Sequence, residues 1–232
     1  MKIAILSDIH GNSEALSAVL EKCWILGITK LYVLGDTVGY YNKVSEVLEQ
    51  LSLFDVTYIK GNHEEMFEKA SKDELYRKKL EEKYGTAYSD TINNLNKHQI
   101  DKLFNSPYET IEFLHNKTLR FIHSKYEDWK YFYPDTPDEE LQKILKEEDY
   151  LFLGHSHYEF IRKLDGKTII NVGSVGQCKT LGGAASWAIY DCKSNKVILM
   201  KTPYNREKFI EIINQSDLQK KQWLIEFLYR NN

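Results

Sequence analysis

Along residues 1–60 the apolar positions follow two alternating patterns. Continuous apolar runs at residues 2–7, 30–34 and 56–59 predict strands, and the segments between them repeat their apolar residues at helical spacing. In the first such segment Ala15, Val19 and Cys23, with Leu16, Leu20 and Trp24 beside them, recur every four residues and predict a buried stripe, with Ser13 as the helix cap. The result is a βαβαβ pattern. Parallel strands joined by helices bring every strand's C-terminal end to one side of the sheet, and open α/β folds build their sites there.

From about residue 64 to 106 the chain turns to charged, helix-forming residues, which predicts a helical insertion within a single domain spanning residues 1–232. The run YRKKLEEKY mixes signs at helical spacing and reads as a solvated face with (i, i+4) pairs. Strands resume near 110–113 and 118–122, a helix is expected over about 137–146, and 150–153 is another strand. Two hairpins should follow, one turning on Asp165-Gly166 and one near Ser194-Asn195, before a final helix over about 206–229.

Composition narrows the function without naming it. A chain of 232 residues with 42% hydrophobic content can bury a full core. Its 31 Lys and Arg against 34 Asp and Glu leave a net charge of -3, so no overall basic field would hold a long nucleic acid. The cysteines, Cys23, Cys178 and Cys192, are scattered and odd in number, which reads as reduced thiols. The apolar start is too short for a signal peptide and no run could span a bilayer, so the expectation is a cytoplasmic protein with no membrane partner.

The polar residues give the chemistry. The first strand empties into SDIHGN (Asp8, His10, Asn12), the second into GDTVGYY (Asp36) and the third into KGNHEE (Asn62, His63). Further on, one strand delivers His123 and another His155 and His157. Of the seven histidines only His98 and His115 do not directly follow a predicted strand. A single His or Asp there is commonly a turn residue or a helix cap. Together, imidazole, carboxylate and amide ligands suit manganese first, with iron, zinc or nickel as alternatives, whereas magnesium and calcium prefer oxygen cages. Two metals about 3.5 to 4 Å apart need a bridging carboxylate, and Asp36 on a central strand could provide it. His155 and His157, two positions apart in an extended chain, would share a face and could each serve one metal.

In this order DIH, GDTVG, GNHE, a lone His and GHSH resemble the five signature blocks of the calcineurin-like metallophosphoesterases. The tail, INVGSVGQ followed by ASWAIYD, is similar to the small bacterial phosphodiesterase branch, which includes relatives acting on diadenosine polyphosphates. The resemblance implies a four-layer αββα sandwich with a two-metal centre at one edge. By the matching motifs Asp8, His10, Asp36 and His157 would hold one divalent metal, and Asp36, Asn62, His123 and His155 the other. His63 would be an acid outside the ligand set. The implied activity is hydrolysis of a small phosphodiester or nucleotide pyrophosphate by a water bridging the two metals. The alternatives are a phosphomonoesterase, a protein phosphatase or a non-catalytic interaction subunit of the same fold.

Two departures from that branch fall near the expected substrate mouth. Ser124-Lys125 follows the lone His where relatives often have glycine, and CKTLGG follows GSVGQ where they carry a charged loop. Lys179 is the candidate there for a phosphate contact, with Cys178 beside it read as a packed thiol. Tyr40, Tyr41 and Tyr88 are candidates for stacking on a base, and Gly35, Gly39 and Gly61 for close passage of backbone.

Overall fold

The computed structural model describes residues 1–231. The chain begins β1 (Lys2–Leu6), α1 (Ser13–Ile25), β2 (Lys30–Val33), α2 (Val44–Leu51), β3 (Asp55–Tyr58). Four helices follow, α3 (Asn62–Lys72), α4 (Glu74–Tyr84), α5 (Ala87–Asn94) and α6 (Lys97–Phe104). After them come β4 (Glu109–Leu114), β5 (Lys117–Ile122), α7 (Asp138–Gln142), β6 (Tyr150–Leu153), β7 (Phe160–Leu164) and β8 (Lys167–Asn171). The chain closes with β9 (Ala184–Asp191), β10 (Lys196–Pro203), α8 (Arg206–Gln215), α9 (Lys221–Glu226) and a 3-10 turn, Phe227–Tyr229.

The strands form two five-stranded mixed sheets, in the orders β10-β9-β1-β2-β3 and β4-β5-β6-β8-β7. In the first, β1, β2 and β3 are parallel and β9 runs antiparallel beside β1. In the second, β5, β6 and β8 are parallel, with β4 and β7 antiparallel at the edges. Alternation along each strand decides which layer a side chain meets. Ile3, Ile5 and Tyr32 face Leu119, Phe121, Phe152 and Ile170 between the sheets, where Tyr32 stacks on Phe121 at 4.0 Å. Their neighbours Ala4, Leu6, Leu31 and Val33 pack on Leu16 and Val19 of α1 and on Val47 and Leu51 of α2. Leu151, Leu153 and Ile169 meet Leu141 of α7 on the opposite outer face. The four-layer αββα sandwich is therefore what the pattern of strand burial produces. Helices α3 to α6 gather around a core of their own that includes Phe67, Leu80 and Tyr88, and no helix among the described residues is long and apolar enough to cross a membrane.

Some local expectations are corrected. The cap of α1 is Asn12, whose side chain accepts from Ala15 N at 3.0 Å, and Ser13 is the first helical residue. Trp24 is 55% exposed and lies against Phe54, because residues spaced by four drift about 40° per step around a helix of 3.6 residues per turn. The helix expected over 137–146 ends at Gln142, where tighter turns onto Leu141 and Gln142 carbonyls replace it. The last helix is two. Ser216 is extended and Lys220 has φ 59°, and this break lets Ile213, Leu218 and Leu224 all pack into one cluster around Tyr41 and Phe209.

The parallel strands of both sheets end at the same edge of the sandwich, and hydrogen bonds join the sheets there. His123 Nδ1 lies 2.6 Å from Leu34 O, and the His155 backbone N–H donates to Asp8 Oδ2 at 3.0 Å. The N–H of Val175 donates to Ser7 O at 3.0 Å.

Candidate metal centre

That edge collects Asp8, His10, Asp36, Asn62, His63, His123, His155 and His157, all buried. Ligand atoms of Asp8, His10 and His157 lie within 4.8 Å of one another, as do those of Asp36, His123 and His155. A third group, His10, Asp36 and His63, overlaps both. Asn62 joins the second group through Oδ1, 3.0 Å from His123 Nε2.

Many of these side chains reach the centre through left-handed backbone. Asp8 (φ 54°), His10 (φ 52°), Asp36 (φ 52°), His155 (φ 67°) and His157 (φ 63°) all carry a Cβ in a region that costs about 1 to 3 kcal/mol for such residues. His155 and His157 thus diverge by turning, not by the alternation of an extended chain, and they reach different clusters. Ladder-like bonds hold the strained loops together, from Asp8 N to Gly35 O at 3.1 Å and from His10 N to Asp36 O at 2.9 Å. Glu64, to which the sequence reading gave no role, secures the Asp36 loop. Its buried carboxylate accepts from Asp36 N at 2.7 Å, Thr37 N at 2.7 Å and Gly61 N at 2.9 Å. Two glycines are sterically required: a Cβ on Gly61 would meet Asp36 Oδ1 at 2.3 Å, and one on Gly39 would meet His63 Nδ1 at 2.2 Å.

The outer nitrogens of four imidazoles are bound to backbone carbonyls. His10 Nδ1 lies 2.9 Å from Val38 O, His123 Nδ1 2.6 Å from Leu34 O, His155 Nε2 2.8 Å from Trp129 O and His157 Nδ1 3.2 Å from Gln177 O. A carbonyl only accepts, so each of these nitrogens carries the proton of a neutral ring and the inner nitrogen presents a lone pair. Those lone pairs face further acceptors. His10 Nε2 is 3.2 Å from His157 Nε2, His123 Nε2 is 3.1 Å from His155 Nδ1, and Asp36 Oδ2 is 3.2 Å from His123 Nε2. Asp8 Oδ1 lies 3.1 Å from His157 Nε2 but out of line for a hydrogen bond, and this buried oxygen has no donor among the described residues. Acceptors set against acceptors in a dry site call for a cation, and the mixed nitrogen and oxygen donors fit the intermediate divalent metals.

The electrostatics agree. Burial raises both carboxyls, but His157 and His123 hold Asp8, and His123 and His63 hold Asp36, well below the usual carboxylate range. Burial and the charge of His63 take His10 down to about 3, and burial with His123 takes His155 down to about 4. Against its burial, Asp36 and Asp8 push His123 up to about 9, so without a cation its inner nitrogen holds a second proton toward Asp36 Oδ2, in the place a metal would take.

His63 lies to one side of these pairs. Its ring is stacked between Tyr40 at 5.1 Å and Tyr88 at 6.1 Å, and its Nδ1 is 2.5 Å from the Tyr88 hydroxyl. Tyr88 is fully buried and Tyr41 is too, its hydroxyl donating to Leu224 O at 3.1 Å, so neither can stack on a base. Tyr40 is partly exposed and lines a cavity of about 320 Å³ that opens beside Asp36, Asn62, His63 and His155. Lys179 lines it as well, Nζ donating to Ser156 O at 3.0 Å, and Cys178 is buried next to it. Other lining residues escaped the sequence reading. Tyr131 stacks on His155 at 4.0 Å, and Trp223, Phe227 and Arg230 close the cavity from the C-terminal end of the chain. The aromatic run at residues 129–133, soon after His123, was the available signal for the first of these; nothing local marks Arg230.

The chain matches the family model of the calcineurin-like phosphoesterase superfamily domain over residues 1–195. It is 32% identical over 250 residues to an uncharacterized protein of Methanocaldococcus jannaschii, a match covering 98% of this chain and 97% of that one. Among solved structures it is similar to a hypothetical protein from Pyrococcus horikoshii OT3, with a TM-score of 0.84 at 22% identity over 100% of this chain and 98% of the other. A metallophosphoesterase from Sphaerobacter thermophilus aligns with a TM-score of 0.79 at 24% identity over 98% of each chain. These two likenesses bear on the fold.

Proposed function

From a chain that belongs to the calcineurin-like phosphoesterase superfamily, we propose a hydrolase that uses two divalent ions to cleave a small phosphodiester or nucleotide pyrophosphate. The observation that carries this reading is the convergence of inward imidazole nitrogens on one another and on carboxylate and amide oxygens, with Asp8 Oδ1 left without a donor among the described residues. Asp8, His10, Asp36 and His157 would hold one ion, and Asp36, Asn62, His123 and His155 the other. When bound, such ions neutralise charge on the phosphate and acidify the attacking water.

The protein's own groups do the remainder. Asn62 contributes a neutral amide oxygen in place of a third carboxylate, which leaves the centre more positive toward phosphate. The Tyr88 hydroxyl needs an acceptor, and beside His63 Nδ1 it meets only Met66 Sδ at 3.7 Å. In the neutral ring it donates to Nδ1; once His63 is protonated, Nδ1–H donates to the Tyr88 oxygen and the hydroxyl proton turns to Met66 Sδ. His63 lines the cavity, so the Nε2–H of its protonated ring is placed to pass to a departing oxygen, which returns the ring to its neutral form. Lys179 and Arg230, also on the cavity wall, draw an anionic substrate in and balance charge on its second phosphate.

Metal dependence tests the reading. Chelation is expected to abolish hydrolysis of bis(4-nitrophenyl) phosphate, and manganese to restore it better than magnesium because four of the ligands are imidazoles. Full activity in protein shown by elemental analysis to be metal-free would overturn the proposal. Bound metal with no turnover on any phosphoester would instead assign the chain to the non-catalytic members of its fold.

A further inference from the structure

The cavity at the metal cluster does not end there. Lys179 and Arg230 also line a second cavity of about 850 Å³, which continues outward between Tyr133 and Tyr158. Its size falls within the range of about 300 to 1,000 Å³ typical of small-molecule sites and exceeds what one phosphate group needs. One wall is aromatic from the cluster outward. Tyr131 stacks on His155 at 4.0 Å, Tyr133 lies nearly parallel to Tyr131 at 6.0 Å, and Tyr158 meets Tyr133 edge-on at 5.8 Å. Tyr131 and Tyr133 are 48% and 37% exposed, so part of each ring still faces water along this wall. The two cations stand where the cavities join. Lys179 is partly desolvated, which lowers its pKa, and its Nζ lies 5.5 Å over the Tyr158 ring. The Arg230 guanidinium lies 4.1 Å over Phe227. Lys179 bonds a carbonyl and both cations lie over aromatic rings; among the described residues neither forms an ion pair with a carboxylate, although Asp135 lines the same cavity.

We propose that this outer cavity is a binding site for the nucleoside end of a substrate: the phosphate next to the reacting one sits between Lys179 and Arg230, and the base lies against Tyr133 and Tyr158. Cations at the junction and rings beyond it match the order of groups in a nucleoside diphosphate, an anion first and a flat ring about a ribose further on. Base stacking on tyrosine is tolerant of base identity, so the site should accept purines more strongly than pyrimidines without reading one sequence of groups. This inference rests on the phosphoesterase reading of the inner cavity and extends it to the substrate class.

The experiment compares two ligands that resist hydrolysis, adenosine 5′-(α,β-methylene)diphosphate and methylenediphosphonate, titrated calorimetrically into the manganese-loaded full chain. The nucleoside ligand is expected to bind about tenfold more tightly or better. Tyr133→Ala and Tyr158→Ala, at exposed or half-exposed positions, should each reduce that preference, and Tyr133→Ala, which leaves the Tyr158 ring beneath Lys179 in place, should do so with methylenediphosphonate unchanged. Lys179→Gln should weaken both ligands. Equal affinity for the two ligands in the native protein, or a preference that survives both tyrosine substitutions, would overturn the proposal. Turnover of bis(4-nitrophenyl) phosphate, measured in parallel, decides the phosphoesterase reading separately, since that substrate carries no nucleoside.

Discussion

Asp36→Asn is expected to lose most of both metal ions and to reduce kcat/KM by about a thousandfold or more, whereas His157→Ala should lose one ion. The difference comes from position. Asp36 takes part in the groups with His10 and His63 and with His123 and His155, while His157 takes part only in the group with Asp8 and His10. The Asp36 carboxylate spans the two clusters, Oδ2 lying 3.2 Å from His123 Nε2 and 3.9 Å from His10 Nε2. Its other oxygen accepts the backbone N–H of His63 at 2.8 Å, and that bond survives in asparagine. The substitution therefore keeps the loop in place and replaces the inward oxygen by an amide donor, which binds no cation and instead donates to a facing imidazole lone pair, taking that nitrogen from the metal. Elemental analysis of the two variants beside the native protein gives the readout. Loss of a single equivalent in both would argue that Asp36 does not bridge.

The four-layer sandwich followed from the resemblance of the signature blocks, because both faces of β1 are apolar and its sequence does not say that Ile3 and Ile5 face the second sheet while Ala4 and Leu6 face the helices. The strands themselves were legible as short apolar runs, and the buried stripe of α1 by its helical spacing. The outer end of α1 was not, since Trp24 sits in phase with Leu20 but has drifted out of the packed stripe. The break between α8 and α9 was hidden for a related reason. Ile213, Leu218 and Leu224 are all buried, and apolar residues on both sides of a turn look like one longer helix.

At the site, residue type and position after a strand identified the groups that gather at one edge. The left-handed backbone at Asp8, His10, Asp36, His155 and His157 had no signature, because these residues avoid that conformation unless the tertiary structure imposes it. Glu64 could have been noticed as the third residue of a helix opening on Gly61, where a carboxylate turns back onto backbone N–H groups. Arg230 could not. It reaches Lys179 only because the chain breaks at Ser216 and returns its last turn across the cavity mouth.

His63→Asn should separate proton donation from metal binding, because a general acid matters only where the leaving oxygen needs a proton. Such catalysis is worth about 10²- to 10⁴-fold. A nitrophenolate departs unaided, whereas a ribose alkoxide does not. The expected result is unchanged metal content, much of the native rate on bis(4-nitrophenyl) phosphate, and a loss of about a hundredfold or more on nucleoside or alkyl diesters. Tyr88→Phe extends the test to the support of the protonated ring. Without the hydroxyl 2.5 Å away, the Nδ1–H of protonated His63 loses its acceptor, and a smaller part of the His63 population carries the proton to be donated. Its loss should be smaller, about three- to tenfold, yet show the same dependence on leaving group, a pattern that a merely loosened ring stack would not produce. The comparison must be made on the chemical step, since slow product release would hide it. If His63→Asn slows both kinds of substrate equally while both metals remain bound, His63 orients the substrate or stabilises its charge, and the proton comes from elsewhere.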